Sequence, residues 1–98
     1  MKLFLTIYDV TYDDDVMETL NDCCVIGFTK WDRVHGKGPN SDPKMDTAVW
    51  PGYNSAVAVV ADDDNEEIVR EALRAVAKRL HGSGIIIYEL PVSEVAVS

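Results

Sequence analysis

A single α+β domain, with four strands and two helices in the order β-α-β-β-α-β, is the fold class this sequence predicts. Three observations lead there. Two segments, each opened by a run of acids, carry apolar residues at helical spacing. Apolar runs of strand length flank each of them, and two of these runs are apolar on both faces. Between the two halves lies a stretch rich in glycine and proline, the punctuation of a strand that ends in a long loop. The length of 98 residues fits one domain spanning 1–98. A domain this small buries a limited fraction of its surface, so a subunit interface is expected.

Lys2 to Asp9 alternates Leu3, Leu5 and Ile7 with Phe4, Thr6 and Tyr8, as in a central strand. Asp13-Asp14-Asp15 then precede Val16, Met17, Leu20 and Cys24 at helical spacing. Aspartates suit the exposed N–H groups and dipole of a helix start, so the run reads as a helix N-terminus rather than a metal site. Val25 to about Lys37 reads as a longer second strand, ended by Gly36, Gly38 and Pro39. Residues 39–53 have turn chemistry throughout, and a 15-residue loop in so small a domain is often functional. Mobility is expected mainly from Gly38 to Asp46, with Gly36 and Gly38 as the hinge.

Ser55 to Ala61 is the third strand. Asp62 to Glu67 opens the second helix, whose apolar positions Val69, Ala72, Leu73, Val76 and Leu80 oppose Arg70, Glu71, Arg74 and Lys78. Lys78, Arg79 and His81 suit its negative end, and Gly82 is a left-handed stop. Ile85 to Leu90 forms the fourth strand, Pro91 marks its end, and the tail through Val97 is expected to add a short edge strand. With right-handed crossovers, this order places both helices on one face of an antiparallel sheet, the ferredoxin-like arrangement. The apolar second face of strands one and three must then be covered, which argues for self-association.

A net charge of −8 argues against general nucleic-acid binding, which needs a basic face, and against anionic membrane surfaces. No segment reaches the roughly 18 apolar residues of a membrane span. The apolar start is stopped by Asp9, with no small-residue cleavage site after it, so it reads as a strand of a cytoplasmic protein. The adjacent Cys23 and Cys24 rarely meet disulfide geometry and read as a reduced pair, with soft-metal binding as the other reading. His35 has Asp32, Asp42 and Asp46 nearby in sequence, a set able to hold a divalent metal but lacking the paired His or Cys spacing of strong sites. His81 reads as a helix-end residue. Trp31 and Trp50 flank the loop and either pack its base or a subunit interface, or stack on a ligand. Lys30, Arg33, Lys37 and Lys44 place four of the nine basic residues at the loop base, either paired with the abundant acids or awaiting a small anion. In an extended strand Lys30 and Asp32 share one face and Trp31 and Arg33 the other. No spacing of nucleophile and base suggests catalysis.

Gly27-Phe28-Thr29 near the start of the second strand, Val34-His35-Gly36-Lys37-Gly38 at its end, and Gly82-Ser83-Gly84 before the last strand complete a pattern. With the element order, it resembles the PII signal-transduction (nitrogen regulatory protein P-II) family over nearly the whole chain. The resemblance implies a homotrimer whose sheets face a central axis, with effector sites in the clefts between subunits. It implies a non-enzymatic regulator that senses a small-molecule effector, an adenine nucleotide in the family, and contacts a protein target through the long loop at 39–53, the T-loop of the family. Carried over by position, Thr29, Gly36, Lys37 and Gly38 form one wall and Gly82, Ser83 and Gly84 the other. Glycine suits such walls because backbone N–H groups approach phosphate oxygens where no Cβ intervenes. Three stretches depart from the family's pattern. Pro39 stands where an Arg is common, Ser55 stands where a phosphate-binding Lys is common, and Ser83-Gly84-Ile85 replaces Asp-Gly-Lys. The copper-tolerance proteins of CutA type share the trimeric ferredoxin-like fold and define the alternative, a metal-binding or metal-tolerance protein using His35 or the Cys23–Cys24 pair.

Overall fold

In the computed structural model of the chain, all residues are described except Cys24, Ile26, Asn40, Ser41 and Trp50. The elements run β1 (Lys2–Asp9), a one-turn 3₁₀ helix (Val10–Tyr12), α1 (Asp13–Asp22), β2 (Thr29–Val34), β3 (Asn54–Ala61), α2 (Glu66–Arg79) and β4 (Ile86–Pro91). The sheet order is β2-β3-β1-β4, and every neighbouring pair is antiparallel. This is the split β-α-β pattern of the ferredoxin-like fold.

The alternation in β1 divides the molecule into two faces. Phe4, Thr6 and Tyr8 are buried, and the two apolar ones join Val57, Val59 and Ala61 of β3 in a core closed by Val16 and Leu20 of α1 and Val69, Leu73 and Val76 of α2. The helical stripes are apolar on one side only, so the helices lie where that side meets the sheet. Leu3, Leu5 and Ile7 point the other way. Their cross-strand partners are Val60, Ala58 and Ala56 on β3 and Leu90, Tyr88 and Ile86 on β4. This second face is apolar, with Val60, Tyr88 and Leu90 each about half exposed.

The acidic runs do open the helices. Asp13, Asp14 and Asp15 fill the first turn of α1. Before α2, Asp62 accepts backbone bonds from Asn65 and Glu66 at its carbonyl, and its carboxylate accepts from the Asp64 and Asn65 N–H groups. Lys78 and Arg79 occupy the last turn, and Gly82 follows with φ +83°.

Three segments differ in extent from expectation. The first helix ends at Asp22, where the Cys23 N–H caps the Thr19 carbonyl; Cys24 lies outside the described residues. The second strand spans Thr29–Val34 rather than 25–37. At its start, Val25 packs against the core and its N–H returns to the Leu20 carbonyl, so the chain turns there instead of extending. At its end, Val34 pairs with Asn54, the first residue of β3, and no ladder remains to continue against. The tail forms no edge strand. Val92 N–H bonds to the Met1 carbonyl, but β1 begins at Lys2, so Val95 and Val97 extend past the sheet and stay exposed.

Candidate functional site

The sheet's apolar face rises into a cleft of about 980 Å³ at the end where two loops meet. Leu5 and Ile7 of β1, Trp31 and Val34 of β2, Ala56 of β3, and Ile86 and Tyr88 of β4 line its sheet side. One loop wall is His35 through Pro39 with Lys44 and Asn54; the other is Gly82 through Ile85. The volume falls within the range of small-molecule sites.

A bulge in β2 builds the sheet side. Trp31 pairs with Ala56, yet Val34 pairs with Asn54, so the register slips by one residue between them. Strict alternation would set Arg33 beside Trp31. The slip sets Val34 there instead, and Arg33 leaves the cleft to stack over the Tyr53 ring at 4.1 Å and pair with Asp46. Lys30 also lies outside. It pairs with Asp13 of α1 at 2.8 Å and Asp32 at 3.3 Å. Two of the four basic residues at the loop base are thus satisfied by carboxylates away from the cleft, and the other two, Lys37 and Lys44, line it.

Among the described residues no Asp or Glu lines the cleft, in a chain with 17 acids. The basic residues of its lining are Lys37 and Lys44, with His35 beside them. Lys37 Nζ reaches the Gly38 carbonyl at 3.4 Å. Lys44 Nζ is held 2.9 Å from Asp9, at the end of β1. Burial pushes the Asp9 carboxyl up, but hydrogen bonds from Thr11 and Lys44 outweigh it and hold the group below its usual value. Ser83 Oγ is, among the described residues, the buried side-chain polar atom without a hydrogen-bond partner, and Ser83 belongs to the wall. Such an atom is costly unless something pairs with it.

Six of the seven ligand-binding positions inferred from the sequence meet here: Gly36, Lys37, Gly38, Gly82, Ser83 and Gly84, with His35 beside them. Thr29 does not. It pairs with Ala58 at the exposed start of β2. Ser55 also stands apart: it is buried, and its hydroxyl donates to the Asp32 carbonyl at 2.8 Å. Its neighbour Asn54 faces the cleft instead. The alternative grouping of His35 with Asp32, Asp42 and Asp46 around a metal is not formed, since among the described residues no three His, Cys, Asp or Glu side chains gather at metal-holding distance. Asp46 and Asp32 are instead drawn to Arg33 and Lys30. Trp50 and Cys24 lie outside the described residues.

The long loop is fastened at its base. Gly36 and Lys44 exchange both backbone hydrogen bonds, at 2.8 and 2.6 Å. Farther on, the Asp46 N–H donates to the Gly52 carbonyl at 2.9 Å, and Val10 N–H reaches the Tyr53 carbonyl at 3.3 Å. Gly36, expected as a hinge, has no left-handed φ. Asn54, Pro39 and Tyr88 are lining residues that sequence reasoning missed; only the position of Asn54, one before the apolar run of β3, gave a signal.

A ferredoxin-like domain with a concave site between two glycine-bearing loops is the class these features define. The chain belongs to the family described as nitrogen regulatory protein P-II, whose model it matches over residues 1–98. Proteins of that family are regulators rather than enzymes, are generally trimeric and bind small effectors. Among solved structures, it is similar to CPII of Thiomonas intermedia K12 bound to ADP and bicarbonate, with TM-score 0.67 and 13% identity over 95% of this chain and 88% of that one. The same protein bound to ADP, AMP and bicarbonate matches to the same extent. A PII-like signalling protein of Thermus thermophilus matches with TM-score 0.64 and 16% identity over 91% of this chain and 83% of that one. Among curated protein sequences none matches the chain. Among the described residues no helix is long and apolar enough to cross a membrane.

Proposed function

We infer that the chain is a cytoplasmic, non-enzymatic PII-like regulator that takes an anionic effector, an adenine nucleotide, in this cleft. It signals occupancy to a protein partner through residues 39–53. The observation that carries the reading is that both glycine-bearing loops, with Lys37 and Lys44, line one cleft free of carboxylates among the described residues. A polyanion would otherwise be repelled by a chain of net charge −8. Trp31 and Tyr88 add aromatic surface for a base, and backbone N–H groups around Gly82 and Gly84 suit phosphate oxygens. CPII, of similar fold, has been solved with ADP and bicarbonate, which supports ADP as the first effector to try.

The apolar sheet face supports a homotrimer. Leu3, Leu5, Ile7, Ala58, Val60, Tyr88 and Leu90 form a continuous surface of a kind that monomers seldom leave open. Packing three such faces around an axis covers it and closes the open side of each cleft with a neighbouring subunit.

Titration calorimetry with ADP, ATP, AMP and bicarbonate, alongside sedimentation equilibrium, tests the reading. A saturable ADP or ATP heat lost on Lys37→Gln, in a particle of three protomers, is expected. A trimer that binds none of the four compounds refutes the effector assignment, and a monomer refutes the inter-subunit site. Thermal shift gives a second check, since an effector held only by the folded state raises apparent stability by about 2.7 kcal/mol at 100 times its Kd.

A further inference from the structure

Lys44 does two jobs at once. The residue lines the cleft, and its ammonium is paired at 2.9 Å with Asp9, which is not among the lining residues. Its backbone is joined to Gly36, itself a wall residue, by two short hydrogen bonds. We propose that Lys44 is an exchangeable latch: an anion in the cleft competes with Asp9 for its ammonium, and filling the cleft unfastens the chain at Lys44 from the end of β1.

The proposal rests on reading the cleft as an anion site. Three features make exchange the outcome rather than simple sharing. Among the described residues no acid lies within the cleft, so Asp9 is the carboxylate that competes with a bound anion for this lysine. Asp9 tolerates the loss of its partner, because its carboxylate also accepts from the Thr11 N–H at 2.9 Å. The Lys44 side chain is about one-third exposed, so an incoming anion approaches it without opening the core. The movement has somewhere to go. Lys44 and Gly36 are bonded to each other, so a displacement of Lys44 is felt at Gly36, in the wall, and along the chain toward Asp46 and its pairing with Arg33.

Asp9→Asn separates exchange from its rival, in which Asp9 merely holds Lys44 in position. Asparagine keeps an oxygen for the Thr11 N–H, so the turn after β1 survives, while the charge that competes for Lys44 is gone. The probe is ADP, titrated by calorimetry into wild type, Asp9→Asn and Lys44→Gln, with amide hydrogen exchange followed at Gly36 and Lys44. Exchange predicts ADP affinity raised on the order of threefold in Asp9→Asn, the scale of one partly exposed ion pair, and lowered in Lys44→Gln. It also predicts faster amide exchange at Lys44 in ligand-free Asp9→Asn and, on adding ADP, in wild type. Weaker ADP binding by Asp9→Asn overturns the latch in favour of positioning, and unchanged affinity or unchanged amide exchange overturns it outright. Wild type that binds no ADP, with folding confirmed by its thermal transition, overturns the anion reading and the latch with it.

Discussion

Asp13 joins three elements, and removing it should show how firmly β2 is set against the rest of the sheet. Its Oδ1 accepts the Tyr8 hydroxyl at 2.6 Å and its Oδ2 accepts Lys30 at 2.8 Å. Tyr8 is 1% exposed, so in Asp13→Ala its hydroxyl loses its side-chain partner at the edge of the core. A buried hydroxyl left unpaired costs roughly 1–3 kcal/mol. Lys30 falls back on the exposed Asp32, a loss of about 0.5 kcal/mol. Asp14 and Asp15 still serve the helix dipole, so that contribution changes little. The expected loss is about 2–3 kcal/mol. Tyr8→Phe should cost about 1 kcal/mol, because Asp13 keeps Lys30. The double variant should lose less than the sum, since it has no orphaned hydroxyl, with a coupling of about 1 kcal/mol. Urea denaturation at one protomer concentration measures all three. Asp13→Ala within about 0.5 kcal/mol of wild type, or strict additivity, would refute the claim that this network is a unit.

Two further outcomes follow from the backbone and the charges. Gly82 turns the chain at φ +83°, so Gly82→Ala should cost about 1–2 kcal/mol; Gly36→Ala, with no left-handed φ and only an ordinary 3.5 Å contact to Asn54, should stay within about 0.5 kcal/mol. Thermal denaturation compares the pair, and an equal loss at both refutes the distinction. Stability should fall at both pH extremes. Burial raises the Asp13 carboxyl, but the bonds from Lys30 and Tyr8 prevail and lower it, as the bonds to Asp9 do there. A folded pKa below the unfolded one gives stability that is present above the ordinary value near 3.8 and lost as pH falls through the folded pKa. Burial, then the bond to Asp13, raises the Tyr8 phenol above its ordinary 10.0, so the unfolded chain ionises first and stability declines as pH climbs past that value. Urea midpoints across pH check both limbs; in Asp13→Asn the acid limb should shrink.

The element order was legible because two periods, 2 in the strands and 3.6 in the helices, are written in residues a few positions apart. Leu3, Leu5 and Ile7 spell out the second apolar face in the alternation of β1 alone. The ends of β2 were not legible, for a reason of the same kind. Trp31-Asp32-Arg33-Val34 has no glycine or proline to mark a bulge, and the slip arises from where β3 begins, at Asn54, some twenty residues later. The tail failed likewise: Val92, Val95 and Val97 have strand chemistry, but the neighbour they need ends at Lys2.

At the site, composition told which residues gather but not which of them are spent. Lys30, Arg33, Lys37 and Lys44 look equivalent in the sequence, and each has acids close by in the chain. What distinguishes them is contact across the fold. Asp13 lies 17 residues from Lys30 and takes it toward the helices. Arg33 is carried out of the cleft by the bulge and onto Tyr53. Lys37 and Lys44 remain at the cleft because the strand ladder has ended and the loop doubles back at Gly36, bringing Lys44 beside the wall and its ammonium to Asp9, far away in sequence. The acid-free lining has the same origin. With 17 acids in 98 residues, a concave surface without one among the described residues is assembled by the sheet, whose open face is apolar, and by two loop segments that carry glycine, serine, lysine and proline. The two loops meet because the antiparallel pairing of β1 with both β3 and β4 sets the start of β3 and the start of β4 at the same end of the sheet. The concentration of basic residues between Gly27 and Lys44 thus divides in two: Lys30 and Arg33 tie β2 and its loop to their neighbours, and Lys37 and Lys44 line the cleft.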